Sequence, residues 1–295
     1  MIRHSGHSWC EMDCDVLNVE MVETLHRMQE KGKPIVEIVN SLRSVTLAGL
    51  IEYGCLRHSR GDEFPSVFNQ VGGSPLALAL CEVCSDLGLR ASGVQKPPVM
   101  NLEVRPAEFH CISMDCDLDE DAEWCSFRTR FEWAARNIGF STEAAANLQS
   151  ALFEMAENAV LHSFAPICAL VGYEIGNGAA LFTVADVGIG ALKSLRSNPS
   201  YSHLSDDVEA IRLALRSGVT SRLGENGGLG FNSVIKALAA HWGQLRFRSG
   251  NGCVTMDGTH IEADKTSSHR PPPLPGFQVS VCCRLGDDNS FQSLF

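Results

Sequence analysis

Apolar residues recur at helical spacing along much of the first 100 residues, and short strand-like runs mark the last 50. From Val16 to Lys31, residues Val19, Met21, Val22, Leu25 and Met28 fall on one helical stripe that stops at Gly32. Residues 34–42 (PIVEIVNSL) suit a strand or a helix equally. Helices are predicted over 47–60 and 75–89, with a turn-rich loop, 61–74, between them. Three prolines in 91–106 mark a linker, which puts a domain boundary near residue 100 and divides the chain into 1–100 and 101–295.

Beyond the linker the pattern changes. Residues 109–118 read as a strand, and DEDAEW opens a helix that runs to about Asn137, its acidic start suited to the helix dipole. After Gly139, Ser141 is placed to cap a helix reaching about Ser163, with Leu148, Leu152, Met155, Ala156 and Ala159 as its apolar stripe. Glu154, Asn158 and Leu161 lie on a different face. Strands over 167–175 and 179–185 are joined by Gly176, Asn177 and Gly178, a hairpin signal. A short amphipathic helix over 206–217, a helix over 229–242 and strands over 244–249, 253–256 and 277–284 follow; the proline-rich stretch 264–276 reads as a long, partly disordered loop.

Composition narrows the class. The 295 residues carry 24 Lys and Arg against 35 Asp and Glu, a net charge of −11. Such a chain has no global attraction to nucleic acid or an anionic membrane, and no basic run reverses this locally. No apolar run approaches the ~18 residues of a spanning helix, and MIRHSGHSWCEMDCD has neither the apolar core nor the cleavage pattern of a signal peptide. A cytoplasmic location is expected, with the 12 cysteines as reduced thiols. Cys168, Cys282 and Cys283 read as small core residues on strands, and Cys81 and Cys84 as core residues on a helix. His4, His7, Cys10 and Cys14 offer four soft ligands for zinc, but the terminal position and the cysteine spacing weigh against a metal site.

Three stretches carry the chemistry. Glu154 and Asn158 stand four residues apart, hence one above the other on a helix. A carboxylate there can orient or deprotonate an attacking hydroxyl, and an amide oxygen can hold a hard cation. The second stretch, FTVADVGIG, places Asp186, Gly188 and Gly190 at a strand end; the third, GENGGLGF, places Gly227, Gly228 and Gly230 before a helix. Glycines leading into a helix N-terminus suit an anion held by main-chain N–H groups. A dinucleotide-binding GxGxxG is excluded, because Lys193 and Ser233 stand where its third glycine would be, and no GxxxxGK[ST] loop exists.

In this order the three stretches resemble the N, G1 and G2 boxes of the gyrase, heat-shock chaperone, histidine kinase and MutL (GHKL) ATPase superfamily. The resemblance implies an α+β, two-layer sandwich of the Bergerat type over 101–295, with a mixed sheet and helices on one face. It implies ATP and Mg²⁺ as cofactors. Asp186 would accept from the adenine amino group, Asn158 would bind Mg²⁺, and Glu154 would serve as general base and could reach the ion through water. Gly188, Gly190, Gly227, Gly228 and Gly230 would line the nucleotide. Residues 191–227 would form a lid, from which Thr220 and Arg222 (with Arg216 and Ser221 nearby) could reach the terminal phosphate. Leu161 replaces the lysine usual in sensor histidine kinases, and the order from Asn158 and Ala159 to His162 and Phe164 is more similar to anti-sigma-factor serine kinases. The resemblance therefore implies a regulator that phosphorylates a protein partner on Ser or Thr, or that hydrolyses ATP to switch a partner interaction; nucleotide binding without turnover is the alternative. A homodimer is compatible with this reading, and no role follows for residues 1–100 beyond partner binding or regulation by analogy.

Overall fold

The computed structural model describes residues 15–67, 107–113, 116–164, 168–216, 243–257 and 266–286. The amino-terminal part contains strand β1 (Val16–Leu17), helix α1 (Val19–Glu30), helix α2 (Val36–Ser41), strand β2 (Ser44–Val45) and helix α3 (Leu47–Arg60). Residues 34–42 thus resolve as helix, with Val39 as its buried anchor. Asn18 and Thr46 cap α1 and α3 by accepting from the Met21 and Gly49 N–H groups at 2.9 and 3.1 Å. Gly32, just beyond the end of α1, has a left-handed φ of 64°.

The rest contains β3 (Ala107–Ser113), α4 (Ala122–Asn137), α5 (Thr142–His162), β4 (Cys168–Gly176), β5 (Ala179–Ala185), α6 (Gly190–Arg196), α7 (Asp207–Ala214), β6 (Gln244–Gly250), β7 (Gly252–Asp257), β8 (Ser267–His269) and β9 (Leu274–Arg284). Asp121, Ser141 and Asp206 cap α4, α5 and α7. The β4–β5 hairpin turns through Asn177 and Gly178, both at positive φ.

Strands β3–β4–β5–β9–β6–β7–β8 form one seven-stranded sheet in that order. Every pairing in it is antiparallel, where a mixed sheet was expected. The α+β sandwich holds. Alternation sorts the side chains: Phe182, Val184, Leu245, Phe247, Val279, Val281 and Cys283 join α4 and α5 in the main core. Leu181, Ala185 and Cys282 face the other way and share a core with Leu17, Leu25, Leu47, Leu50 and Ile51 of the amino-terminal segment. Cys282 and Cys283 are therefore both buried, on opposite faces, as small core residues.

Helices consequently cover both faces of the sheet, not one. The second helical layer comes from residues 15–67, whose apolar stripes pack on the sheet face that carries Leu181, Ala185 and Cys282. The boundary expected near residue 100 lies outside the described residues, as do the helix expected over 75–89 and Cys81 and Cys84. Two further local expectations change. The stretch 264–276 holds β8 and the buried Leu274 that begins β9, so pairing with β7 orders part of it. The turn-rich stretch after Gly190 begins with α6, which packs on α7 through Leu195, Leu204 and Ala210. No described helix is long and apolar enough to cross a membrane.

Candidate functional site

Helix α5 carries Glu154 and Asn158 as the spacing requires. Leu148, Leu152, Met155, Ala156 and Ala159 are wholly buried against the sheet, while Glu154 and Asn158 are half-buried at the border of that stripe. Their neighbour Glu157 is exposed, and Leu161 and Phe164 project into solvent. The bulky aliphatic and alanine stripe fixes the rotation of the helix, and that rotation sets the carboxylate and the amide at the rim.

The carboxyl end of α5 meets the turn after β5. Ile189 donates its backbone N–H to the Ser163 carbonyl at 2.7 Å. A Cβ on Gly188 would overlap that same carbonyl, so only glycine admits the approach. Gly190 has φ 77°, and its Cβ position points at the Ser249 hydroxyl. Ser249 in turn donates to the Gly276 carbonyl at 2.9 Å and accepts from the Ala191 N–H at 2.9 Å. Gly276 donates to the Gly188 carbonyl at 2.9 Å. Four chain segments, the end of α5, the turn after β5, the end of β6 and the start of β9, are thus pinned at one junction.

Asp186 lies at that junction, 2% exposed. Its Oδ1 accepts from the Gly188 N–H at 2.6 Å. Its Oδ2 is buried and has no donor in good geometry among the described residues. Burial pushes the carboxyl pKa up to about 7, against the pull of the Gly188 and Phe277 N–H groups. A buried acceptor of this kind demands a donor, because an unmade hydrogen bond costs more than a made one gains. A ligand amino group is such a donor. Gly276 was not anticipated as part of the site, yet a Cβ there would overlap the Asp186 carbonyl. Its signal in the sequence was a lone glycine between Pro275 and Phe277 at a strand start.

Thr220, Arg222, Gly227, Gly228 and Gly230 lie outside the described residues, as do His4, His7, Cys10 and Cys14. Arg216 is described and exposed; it lines a cavity of about 630 Å³ with His203, Asp206, Arg212, His269 and Arg270. Asp186, Gly188 and Gly190 are brought together with the end of the Glu154 and Asn158 helix.

A second polar cluster was missed by the sequence reading. Arg246 and Arg248 of β6 point to the face covered by α1 and α3, where Glu23 and Glu52 meet them. Arg246 lies 2.9 Å from Glu23 and 2.6 Å from Glu52, and Arg248 pairs with Glu52. Burial pushes the Arg248 pKa down to about 10, with Glu23 opposing. The alternation in QLRFRSG puts both arginines on one face of the strand, but it reads equally as a face toward water, so the sequence carried no signal of their burial.

No protein-family model matches the chain, and no curated protein matches it.

Proposed function

We propose that this chain binds Mg²⁺-ATP at the junction of α5 and the β5–α6 turn. The observation that carries this reading is the buried Asp186 carboxylate, with one oxygen on the Gly188 N–H and the other without a donor in good geometry among the described residues. An adenine amino group supplies that missing donor. The close approach at Gly188 brings the end of the Glu154 and Asn158 helix to the same turn. The residues present fit the group: a buried acceptor for the base, and a carboxylate and an amide on the adjoining helix.

In this reading Asp186 holds the base, Asn158 supplies an amide oxygen to the cation, and Glu154 takes the proton of the attacking hydroxyl. Mg²⁺ would neutralise charge on the phosphates during transfer. The hydroxyl belongs to a Ser or Thr of a protein partner, or to water. A role as a regulator of a partner protein follows from the first case and a nucleotide-driven switch from the second.

The test is calorimetric titration of the full chain with ATP, with and without Mg²⁺, followed by an assay of ADP release. Binding strengthened by Mg²⁺ and abolished in Asp186→Asn is expected. Absence of binding in the folded wild-type protein would overturn the reading. Binding with no ADP release, alone or with candidate partners, would leave the chain a nucleotide-binding module and remove the base role of Glu154.

A further inference from the structure

Cys253 of β7 and His269 of β8 are direct cross-strand partners in the antiparallel register. Opposed residues of such a pair have Cβ atoms roughly 5 Å apart on the same face. Glu23 reaches the same point from α1, and one ligand atom of each of the three lies within 4.8 Å of the other two. Sulfur, nitrogen and oxygen donors from three elements therefore converge.

We propose that Glu23, Cys253 and His269 form a binding site for a zinc-class divalent cation, distinct from the nucleotide site and independent of it. The donor set decides the class. A thiol and an imidazole favour zinc and its borderline-soft neighbours over magnesium or calcium, which take oxygen ligands. The spacing suits a tetrahedral ion. His269 Nε2 lies 2.9 and 3.1 Å from the two Glu23 oxygens. Nitrogen and oxygen ligands at ~2 Å from one zinc stand roughly 3.3 Å apart, so the His269–Glu23 pair needs only a few tenths of an ångström of adjustment, while the Cys253 sulfur, within 4.8 Å of both, closes to roughly 3.5 Å. The His269 side chain, 46% exposed and on the edge strand of the sheet, has the freedom to make it.

The surroundings prepare the carboxylate. Arg246 and Arg27 pair with the two Glu23 oxygens at 2.9 and 3.2 Å, as outer groups commonly orient a ligating carboxylate. Glu52 pairs with Arg246 at 2.6 Å and offsets its charge. His269 also lines the cavity beside α7, which gives the ion a path from solvent. Three protein ligands leave a fourth position toward that cavity for water. On binding, the Cys253 S–H bond breaks, its proton leaves to solvent, and the sulfur pair forms the bond to the metal; nothing is oxidised or reduced. The ion would tie α1 to the β7–β8 edge.

The test uses the full chain, stripped with a chelator, titrated with Co²⁺ and then competed with Zn²⁺. The expected result is one Co²⁺ per chain with thiolate-to-cobalt charge-transfer absorption, displaced by Zn²⁺. His269→Gln and Cys253→Ser should each weaken Zn²⁺ binding at least tenfold and remove that absorption. His269 is half exposed, so its variant keeps the fold and decides the matter alone if Cys253→Ser does not fold. Absence of the thiolate signal in the wild type would overturn the proposal. So would a signal that survives in His269→Gln at unchanged stoichiometry, because the ion would then sit on other cysteines, such as Cys10 and Cys14.

Discussion

Arg246 Nη1 lies 2.6 Å from Glu52 Oε2, joining β6 to α3 across 194 residues of sequence, with both side chains all but excluded from solvent. The same carboxylate also pairs with Arg248. The layer formed by residues 15–67 is therefore held to the sheet by buried charge as well as by the apolar core around Leu47, Leu50 and Ile51.

Removing one member of such a cluster costs more than the cluster contributes, because the remaining charges stay buried without a partner. Glu52→Ala strips Arg248 of its paired carboxylate and leaves Arg246 on Glu23 alone, and is expected to cost about 3–5 kcal/mol. Adding Arg246→Met and Arg248→Met to it should recover much of the loss. The denaturant midpoint at unchanged slope reads both steps. A Glu52→Ala protein within about 0.5 kcal/mol of wild type would mean that water reaches the cluster.

These pairs explain where sequence reading stopped. Element positions were legible because each rests on local signals: Ser141 before the Ala-rich run, Asp121 before Trp124, and the Asn177-Gly178 turn. The rotation of α5 was legible for the same reason, since its stripe and its polar rim are properties of one helix. The packing of residues 15–67 on the sheet was not, because it depends on which elements meet. Glu23 and Glu52 look like ordinary charged positions on amphipathic helices until Arg246 and Arg248 are seen facing them. In the candidate site, Asp186 and Gly188 stood out by spacing, whereas Gly276 and Ser249 enter only through the β9 and β6 strands that close over the turn.

Asp186→Asn should stabilise the protein in a pH-dependent way. The folded-state pKa is raised from the usual 3.8 to about 7 by burial. The folded state then holds a proton that the unfolded state has lost between those values, so stability falls as pH rises from about 4 to about 7. The loss amounts to about 4 kcal/mol as an upper bound. Asparagine does not ionise, so the variant should match wild type near pH 4 and exceed it at pH 8 in thermal denaturation. It should also lose ATP binding, because an amide that accepts from Gly188 turns its NH₂ toward the base. A variant less stable than wild type at pH 8 would mean that the carboxylate is already satisfied.

Gly276→Ala tests the junction without removing a polar group. The added methyl meets the Asp186 main chain, and the residue sits at φ 73°, where a side chain is strained. A cost of about 1–3 kcal/mol is expected, together with weakened nucleotide binding. Gly286→Ala is the control, because its Cβ position is open. Equal behaviour of the two variants in unfolding and in ATP titration would show that the close approach has no consequence.

Glu154→Gln separates binding from chemistry. The half-buried position at the rim of α5 leaves room for an amide of the same shape. If Glu154 takes the proton, ADP release should fall by about 10²–10⁴-fold with ATP affinity little changed. A parallel loss of affinity and turnover would assign Glu154 to binding. Unchanged turnover would move the base elsewhere, with Glu157 the adjacent candidate.

His26 gives an acid sensitivity of opposite sign. Its ring is buried on α1, edge-on to Phe64, and neither nitrogen has a hydrogen-bond partner among the described residues. Burial, helped by the positive charges of Arg248, Arg60 and Arg27, pushes its pKa down from 6.5 to about 4. Glu30, 3.9 Å away, offers the only nearby compensation among the described residues. The unfolded state takes up a proton that the folded state refuses, so stability is full above about pH 6.5 and is lost as pH falls toward 4, by roughly 3 kcal/mol. His26→Leu fills a similar volume and removes the titration. Unfolding midpoints measured for wild type and variant at pH 8 and pH 4.5 should differ little at the first and favour the variant at the second. A pH-independent difference between the two proteins would show that His26 is protonated in the folded state through its contact with Glu30, and that the sheet-facing side of α1 is wetter than its burial implies.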